Sequence, residues 1–209
     1  MQTQRYGKRS SIIYRWLIDP LVQPLRPRIV SLCLKHNVRH VLDIGCATGE
    51  QCRQLGAARI TAVGVDLSED MIAAANSRAH DRVEYVVGSA FELPFESGRF
   101  DAALLSLALH EHPETERATM IREALRVVGS GGYLIIAEYS KPMRPYMHLP
   151  WGVIQLVEKL AGQEHHDGFR GFIAADGLAG LLKRHNLSPI DVVTSHFHTL
   201  SAALVQVEE

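Results

Sequence analysis

The sequence predicts an α/β protein built on a doubly wound, mostly parallel seven-stranded sheet, and three observations carry that expectation. From residue 40 onward short apolar runs alternate with amphipathic stretches, the signature of consecutive βαβ units. One of these runs, Val41-Leu42-Asp43-Ile44, ends in a turn of small residues, Gly45-Cys46-Ala47-Thr48-Gly49, that opens a helix. About 20 residues further on, Val63-Gly64-Val65-Asp66 places a carboxylate at the tip of the next strand.

The elements follow in order. Apolar residues in the stretches 10–18 and 25–35 predict N-terminal helices, and strands are expected at 40–44, 60–65, 83–87, 101–106 and 133–138, with two more near 190–194 and 199–207. Ser68 has the chemistry of an N-cap, with Glu69 and Asp70 in the first turn, where the helix dipole favours acids. A helix over 114–127 is expected to present Ala118, Ile121, Leu125 and Val128 along one face and to end at Gly129-Ser130-Gly131-Gly132. The interval 141–172 interposes an extra helix, 151–160, and a segment rich in His, Gly and aromatics; it reads as a lid inserted after strand five, or alternatively as a surface excursion with no contact to substrate.

A chain of 209 residues with 46% hydrophobic content and no repeat or low-complexity linker predicts one domain over 1–209. Within it, 1–38 form N-terminal helices, 39–140 a ligand-binding core, 141–172 the lid, and 173–209 a C-terminal helix with the last two strands. With 22 Lys+Arg against 23 Asp+Glu, no broad basic face for nucleic acid is expected. Arg5, Lys8 and Arg9 read as a solvated terminus. Cys33, Cys46 and Cys52 have neither the number nor the spacing of a disulfide framework or zinc site, so a reducing interior is expected. The apolar run 12–18 is interrupted by Arg15 and is too short to span a bilayer, and no cleavage site follows it; the expectation is a cytoplasmic protein without a membrane span.

The small-residue turn lets a backbone approach a ligand closely in the crevice beyond the strand ends, and Asp66 stands where it can accept hydrogen bonds from ribose hydroxyls. A dinucleotide fold offers the same geometry, but the turn discriminates. Pyrophosphate binding favours G-x-G-x-x-G, whereas here Ala47 takes the second glycine's place and Gly49 comes too early. Asp43 would also repel a diphosphate and favourably face a cationic amino group. Packing roles for Gly45 and Gly49, capping by Asp66 and burial of Asp43 among backbone amides are the alternatives for each residue taken singly.

Further motifs extend the pattern in sequence order: Gly88-Ser89-Ala90-Phe91-Glu92-Leu93-Pro94-Phe95, then Phe100-Asp101-Ala102-Ala103, then Glu123-Ala124-Leu125-Arg126-Val127 leading into Gly131-Gly132. Across residues 41–139 the chain resembles the class I S-adenosylmethionine-dependent methyltransferases, with their Rossmann-like fold, and particularly the branch of the ubiquinone and menaquinone biosynthesis C-methyltransferases. The resemblance implies S-adenosylmethionine as methyl donor. It implies that Asp43, Gly45, Ala47 and Gly49 line the methionine end, that Asp66 holds the ribose, that Leu67 and Ala90 face the adenine, and that Met71 and Ser106 lie nearby. Ser89 replaces the family's usual Asp at the adenine amine, so a hydroxyl must accept that bond more weakly; Ser130 replaces a turn proline.

On the acceptor side, a histidine near neutral pH is a suitable base for a carbon or phenol nucleophile. The candidates are His110, which leaves strand four towards the donor methyl, together with His148, His165 and His196; for His110 the alternative is a capping or supporting role. The aromatics Tyr146, Trp151, Phe169 and Phe172, with Tyr14 and His148, suit a small apolar or ring-shaped acceptor, and the lid aromatics equally suit packing. No metal is expected, because the spacings His110/His112 and His196/His198 lack a third ligand. Ser106-Leu107-Ala108-Leu109 stands in place of the Asp/Asn-Pro-Pro-aromatic tetrad of base and glutamine-amide methyltransferases, which disfavours amino methylation of nucleic acid. A donor-binding regulatory protein without catalysis and a nucleotide-dependent oxidoreductase remain as other readings.

Overall fold

The computed structural model describes residues 22–78, 80–141, 151–152, 154–155, 163–195 and 198–208, with the side chains of 163–165 excepted. The chain order is α1 (Arg26–Lys35), β1 (His40–Ile44), α2 (Glu50–Ala57), β2 (Thr61–Asp66), α3 (Glu69–Asn76), β3 (Val83–Val87), β4 (Phe100–Ser106), α4 (Glu114–Val127), β5 (Val128–Tyr139), α5 (Gln163–Ala174), α6 (Gly177–Arg184), β6 (Pro189–Thr194) and β7 (Leu200–Gln206). The seven strands form one sheet, as the sequence predicts, and their order is β3-β2-β1-β4-β5-β7-β6. β1 to β5 are parallel, and β7 runs antiparallel to both β5 and β6.

The inner strands explain their own apolarity. In β1 and β4 nearly every side chain is buried because helices cover both faces of the sheet, so the runs read as continuous rather than alternating. Chain progress reverses between β1 and β4: β1 leads outward through α2 to β2, and β4 leads the opposite way through α4 to β5. Right-handed crossovers therefore put α2 and α4 on opposite faces, and a crevice opens beyond the carboxyl ends of β1 and β4. Ser68 caps α3 as expected, its Oγ accepting from Met71 N at 3.3 Å.

Two expectations need correction. The buried face of α4 is Arg117, Met120, Ile121, Ala124 and Val127; of the expected stripe, Ile121 and Val128 are buried, whereas Ala118 and Leu125 are only partly so. Reading only apolar residues misplaced the stripe, because a buried arginine belongs to it. Nor does the glycine run end that helix: Val128 is already extended and pairs with Phe100, and residues 129–132 bulge out of β5 before Tyr133 pairs with Ala102. Gly131 needs its φ of +77°, and a Cβ on Gly132 would stand 2.6 Å from the Asp101 carbonyl oxygen. Among the described residues no helix is long and apolar enough to cross a membrane.

Candidate active site

The first half of the crevice is made by backbone. Gly45 and Gly49 both take φ +75° and Ala47 takes +46°, a left-handed conformation that is strained for a residue with a Cβ. The neighbouring strand holds the turn in that shape: Gly45 N and Cys46 N both donate to the Val65 carbonyl, at 2.8 and 3.1 Å. Asp66, at the end of β2, completes the tie, with Oδ2 accepting from Ala47 N and Oδ1 from Ser68 N, each at 2.9 Å. Behind the turn, the Tyr85 hydroxyl donates to the Gly49 carbonyl at 3.0 Å, and any Cβ at Gly49 would collide with that phenol. Gly64 is needed for the same reason, since its Cβ would meet Cys46 Sγ and the Tyr85 ring at 2.7 Å.

Two acids flank this turn. Asp43 is 2% exposed and accepts from Cys52 Sγ at 3.3 Å. Burial pushes its pKa up to about 6, opposed by the Cys52 hydrogen bond and by the Arg26 charge. Asp66 is raised by burial as well, against the pull of its two backbone donors, with added repulsion from Glu111 on the β4 exit. Thr48 Oγ1 and both polar atoms of the Gln51 carboxamide are buried beside the turn without a hydrogen-bond partner, an arrangement that costs free energy unless something else binds there. Further along the crevice, Met71 is buried, Leu67 is exposed and Ala90 is partly buried. The Ser89 hydroxyl is engaged locally, accepting from Phe91 N at 3.1 Å.

The second half is made by side chains. β4 ends at Ser106, and Leu107 turns the chain with a φ of +52° while donating to the Ala137 carbonyl at 2.9 Å. The peptide groups of Leu109 and His110 are then held from both sides. Glu138 of β5, fully buried, accepts from Leu109 N at 2.8 Å and His110 N at 3.2 Å, both on Oε1. Arg117 of α4 donates Nε to the Leu109 carbonyl at 2.8 Å and an Nη to that of His110 at 3.4 Å. The His110 ring, 2% exposed, puts Nδ1 3.1 Å from Glu138 Oε2 and packs edge-on against Tyr139, Phe169 and Phe172.

α5 closes over this region, and its backbone comes so near that a Cβ on Gly168 would sit 2.9 Å from the His110 carbonyl oxygen. Phe169 and Phe172 are buried, and Phe169 joins Tyr139 and Trp151 in one aromatic cluster. The described end of the 141–172 interval is thus packed into the core. Of the expected acceptor residues, Trp151 and Phe169 lie in this cluster; His165 lies on α5, with its side chain outside the description. Tyr14, Tyr146, His148 and His196 fall outside the described residues. No group of three or more metal-binding side chains occurs among the described residues.

Sequence reasoning missed Glu138, Arg117, Tyr85, Gln51 and Arg26. For the first two a signal was present: a charged residue inside an otherwise apolar strand, Ile135-Ile136-Ala137-Glu138-Tyr139, and an arginine at the helical spacing of a buried face.

Residues 42–136 match a family model described as a methyltransferase domain. The chain is 27% identical over 195 residues to a ubiquinone/menaquinone biosynthesis C-methyltransferase of Rubrivivax gelatinosus, covering 84% of this chain and 76% of that one. It is 31% identical over 140 residues to a demethylmenaquinone methyltransferase of Thermotoga maritima, covering 66% of this chain and 60% of the relative. An O-methyltransferase family protein from Burkholderia thailandensis shares the fold, with a TM-score of 0.69 at 21% identity over 98% of this chain and 61% of that one. With the turn, the switch-point crevice and the sheet in agreement, residues 42–136 carry a methyltransferase domain, and the chain is similar to S-adenosylmethionine-dependent methyltransferases.

Proposed function

We propose that the protein transfers the methyl group of S-adenosylmethionine to a small apolar or aromatic acceptor, by in-line displacement in the crevice beyond β1 and β4. The observation that carries this reading is the glycine turn, held open by Val65 and Asp66, with Thr48 Oγ1 and the Gln51 carboxamide buried and unpartnered beside it. The residues fit the donor's chemistry: a cationic amino-acid tail suits Asp43, Thr48 and Gln51, and a neutral ribose suits Asp66, whereas a pyrophosphate would face two acids. On this assignment Gly45, Ala47 and Gly49 admit the tail, Asp66 keeps a lone pair on each oxygen for the ribose hydroxyls, and Leu67, Met71, Ser89 and Ala90 border the adenine, with Ser106 nearby.

The donor, when bound, supplies an electrophilic methyl on a sulfonium. The chain's own task is therefore to align a nucleophile and exclude water. The aromatic cluster and α5 do the excluding. His110, at the β4 exit, serves as the group beside the reacting atoms and takes a proton from a carbon or phenolic acceptor. The relatives named above include quinone-biosynthesis C-methyltransferases, and a hydroxylated ring is the acceptor class that suits Trp151 and Phe169. Nucleic acid is no part of this reading, and three buried free thiols accord with a cytoplasmic setting.

The deciding experiment is calorimetry with S-adenosylmethionine, its demethylated product and NAD, followed by transfer of labelled methyl into cell-extract small molecules. Binding of the first two without NAD, plus one labelled acceptor, supports the proposal. Tight NAD binding with no response to the demethylated product overturns it; donor binding without any labelled acceptor favours a regulatory role.

A further inference from the structure

We infer that Glu138 is a positioning residue for His110, fixing the imidazole as the tautomer whose Nδ1 carries the proton. The inference rests on the reading of His110 as the group beside the acceptor only for its catalytic consequence; the geometry stands apart from that reading. Glu138 divides its two oxygens. Oε1 takes the backbone, Leu109 N at 2.8 Å and His110 N at 3.2 Å, and stands 3.3 Å from His110 Nδ1. Oε2 faces the His110 ring at Nδ1, 3.1 Å away, and Tyr139 N at 3.3 Å. An ionised carboxylate offers no proton, so a hydrogen bond to it requires the proton on Nδ1 and leaves the lone pair of a neutral ring on Nε2.

The ring has little freedom to choose otherwise. Tyr139 lies edge-on with ring centroids 5.0 Å apart, Phe172 is at 6.3 Å and Phe169 at 6.4 Å. The backbone beneath it is held by the same carboxylate and, on its carbonyl side, by the Arg117 guanidinium, whose carbon also stands 5.0 Å from the Phe172 ring centroid. Glu138 thus anchors the loop chiefly through Oε1 and faces the ring with both oxygens, Oε2 the nearer. A carboxylate that orients a histidine and selects its tautomer is a recurrent supporting device for a base.

The division of labour allows a test that spares the anchor. In Glu138→Gln the carboxamide oxygen can keep Leu109 N and His110 N, while its NH2 group, placed where Oε2 stood, gives up the long 3.3 Å bond from Tyr139 N and presents a donor to Nδ1. The nearer partner of Nδ1, 3.1 Å away against 3.3 Å for the retained oxygen, is then a donor, so the ring is expected to accept at Nδ1 and carry its proton on Nε2. Nitrogen-15 spectra of the histidine-labelled full chain, assigned with His110→Gln and recorded where the ring is neutral, should show the lone-pair signature at Nε2 in the unsubstituted protein and at Nδ1 in Glu138→Gln. Glu138→Asp, one methylene shorter but still acceptor-only, should retain the unsubstituted pattern if it folds. A neutral His110 already protonated at Nε2 in the unsubstituted protein, or the same tautomer in it and in a folded Glu138→Gln, overturns the inference. Should Glu138→Gln fail to fold, the spectrum of the unsubstituted protein alone still decides it. With an acceptor in hand, tautomer inversion should lower kcat by about 100-fold or more with little change in donor affinity. Inversion without loss of rate would leave the positioning intact and remove His110 as the base.

Discussion

On the proposed assignment, the crevice has a donor half and an acceptor half, and the two are stiffened by opposite means. The donor half is a backbone device, with left-handed residues at 45, 47 and 49 tied to β2 through Val65 and Asp66, and its one strained non-glycine is an alanine. The acceptor half is a side-chain device, with a fully buried carboxylate and a buried guanidinium holding one loop between them under an aromatic layer. A backbone device presents amides to whatever shares the donor's shape. A side-chain device changes with each substitution, so one half can stay constant while the other is altered for a different acceptor.

The largest effect should come from the acceptor half. Glu138→Ala removes the partner of Leu109 N, His110 N and the His110 ring, and leaves Arg117 without its buried counter-charge, so it should cost about 3 to 5 kcal/mol of folding stability. Urea unfolding measures this directly. A loss no greater than that of a donor-half substitution would erase the contrast between the halves.

A smaller effect belongs to Asp43, and it depends on pH. Its folded-state pKa, about 6, lies above the unfolded reference of 3.8, so the folded protein holds this proton more tightly. Stability from this group is present at low pH and is lost as pH rises between about 4 and 6, by about 3 kcal/mol for two units of difference. Burial of Asp66 adds to the same trend. In Asp43→Asn the stability difference from the unsubstituted protein should grow across that window and then level off, read by thermal unfolding at several pH values. A flat difference would mean that Arg26 and Cys52 already compensate the buried charge.

Next comes Asp66→Ala, expected to weaken binding of the demethylated donor product by about 1 to 3 kcal/mol, because ligand hydroxyls lose their acceptor and Ala47 N loses its tie. Calorimetry checks it. Unchanged affinity in a folded variant would make Asp66 a support for the turn and nothing more.

The same contrast explains what was legible in the sequence. The strands and the glycine turn were readable because each rests on a contiguous stretch: an apolar run, a glycine at a left-handed position, an acid at a strand tip. The clamp on His110 was not, because it joins residue 110 to residues 117, 138 and 168 across three elements, and no local period records that meeting. His110 itself was found by its place at a strand exit, but not its partner. The stripe on α4 failed for a related reason: Arg117 is buried through long-range pairing with the carbonyls of Leu109 and His110, which hydrophobic periodicity counts as a solvent position. In the interval 141–172 the sequence singles out aromatics, yet only the packed structure places Phe169 and Phe172 against the histidine.

The smallest effect sharpens the donor half. Asp66 and Ser68 both sit at the start of α3, and either could be taken for its cap. The geometry separates them: Ser68 Oγ accepts from Met71 N at 3.3 Å, while Asp66 Oδ1 accepts from Ser68 N, a backbone bond that a Ser68→Ala substitution leaves in place. Ser68→Ala should therefore cost about 1 kcal/mol of stability, the ordinary loss for an N-cap hydroxyl, and leave donor-product affinity nearly unchanged. Paired with Asp66→Ala it forms a two-way test, one variant altering stability with affinity spared and the other altering affinity. If Ser68→Ala weakens binding as much as Asp66→Ala does, the acid acts through the helix start rather than on the ribose. The donor half would then owe its selectivity to the glycine turn, Thr48 and Gln51 alone.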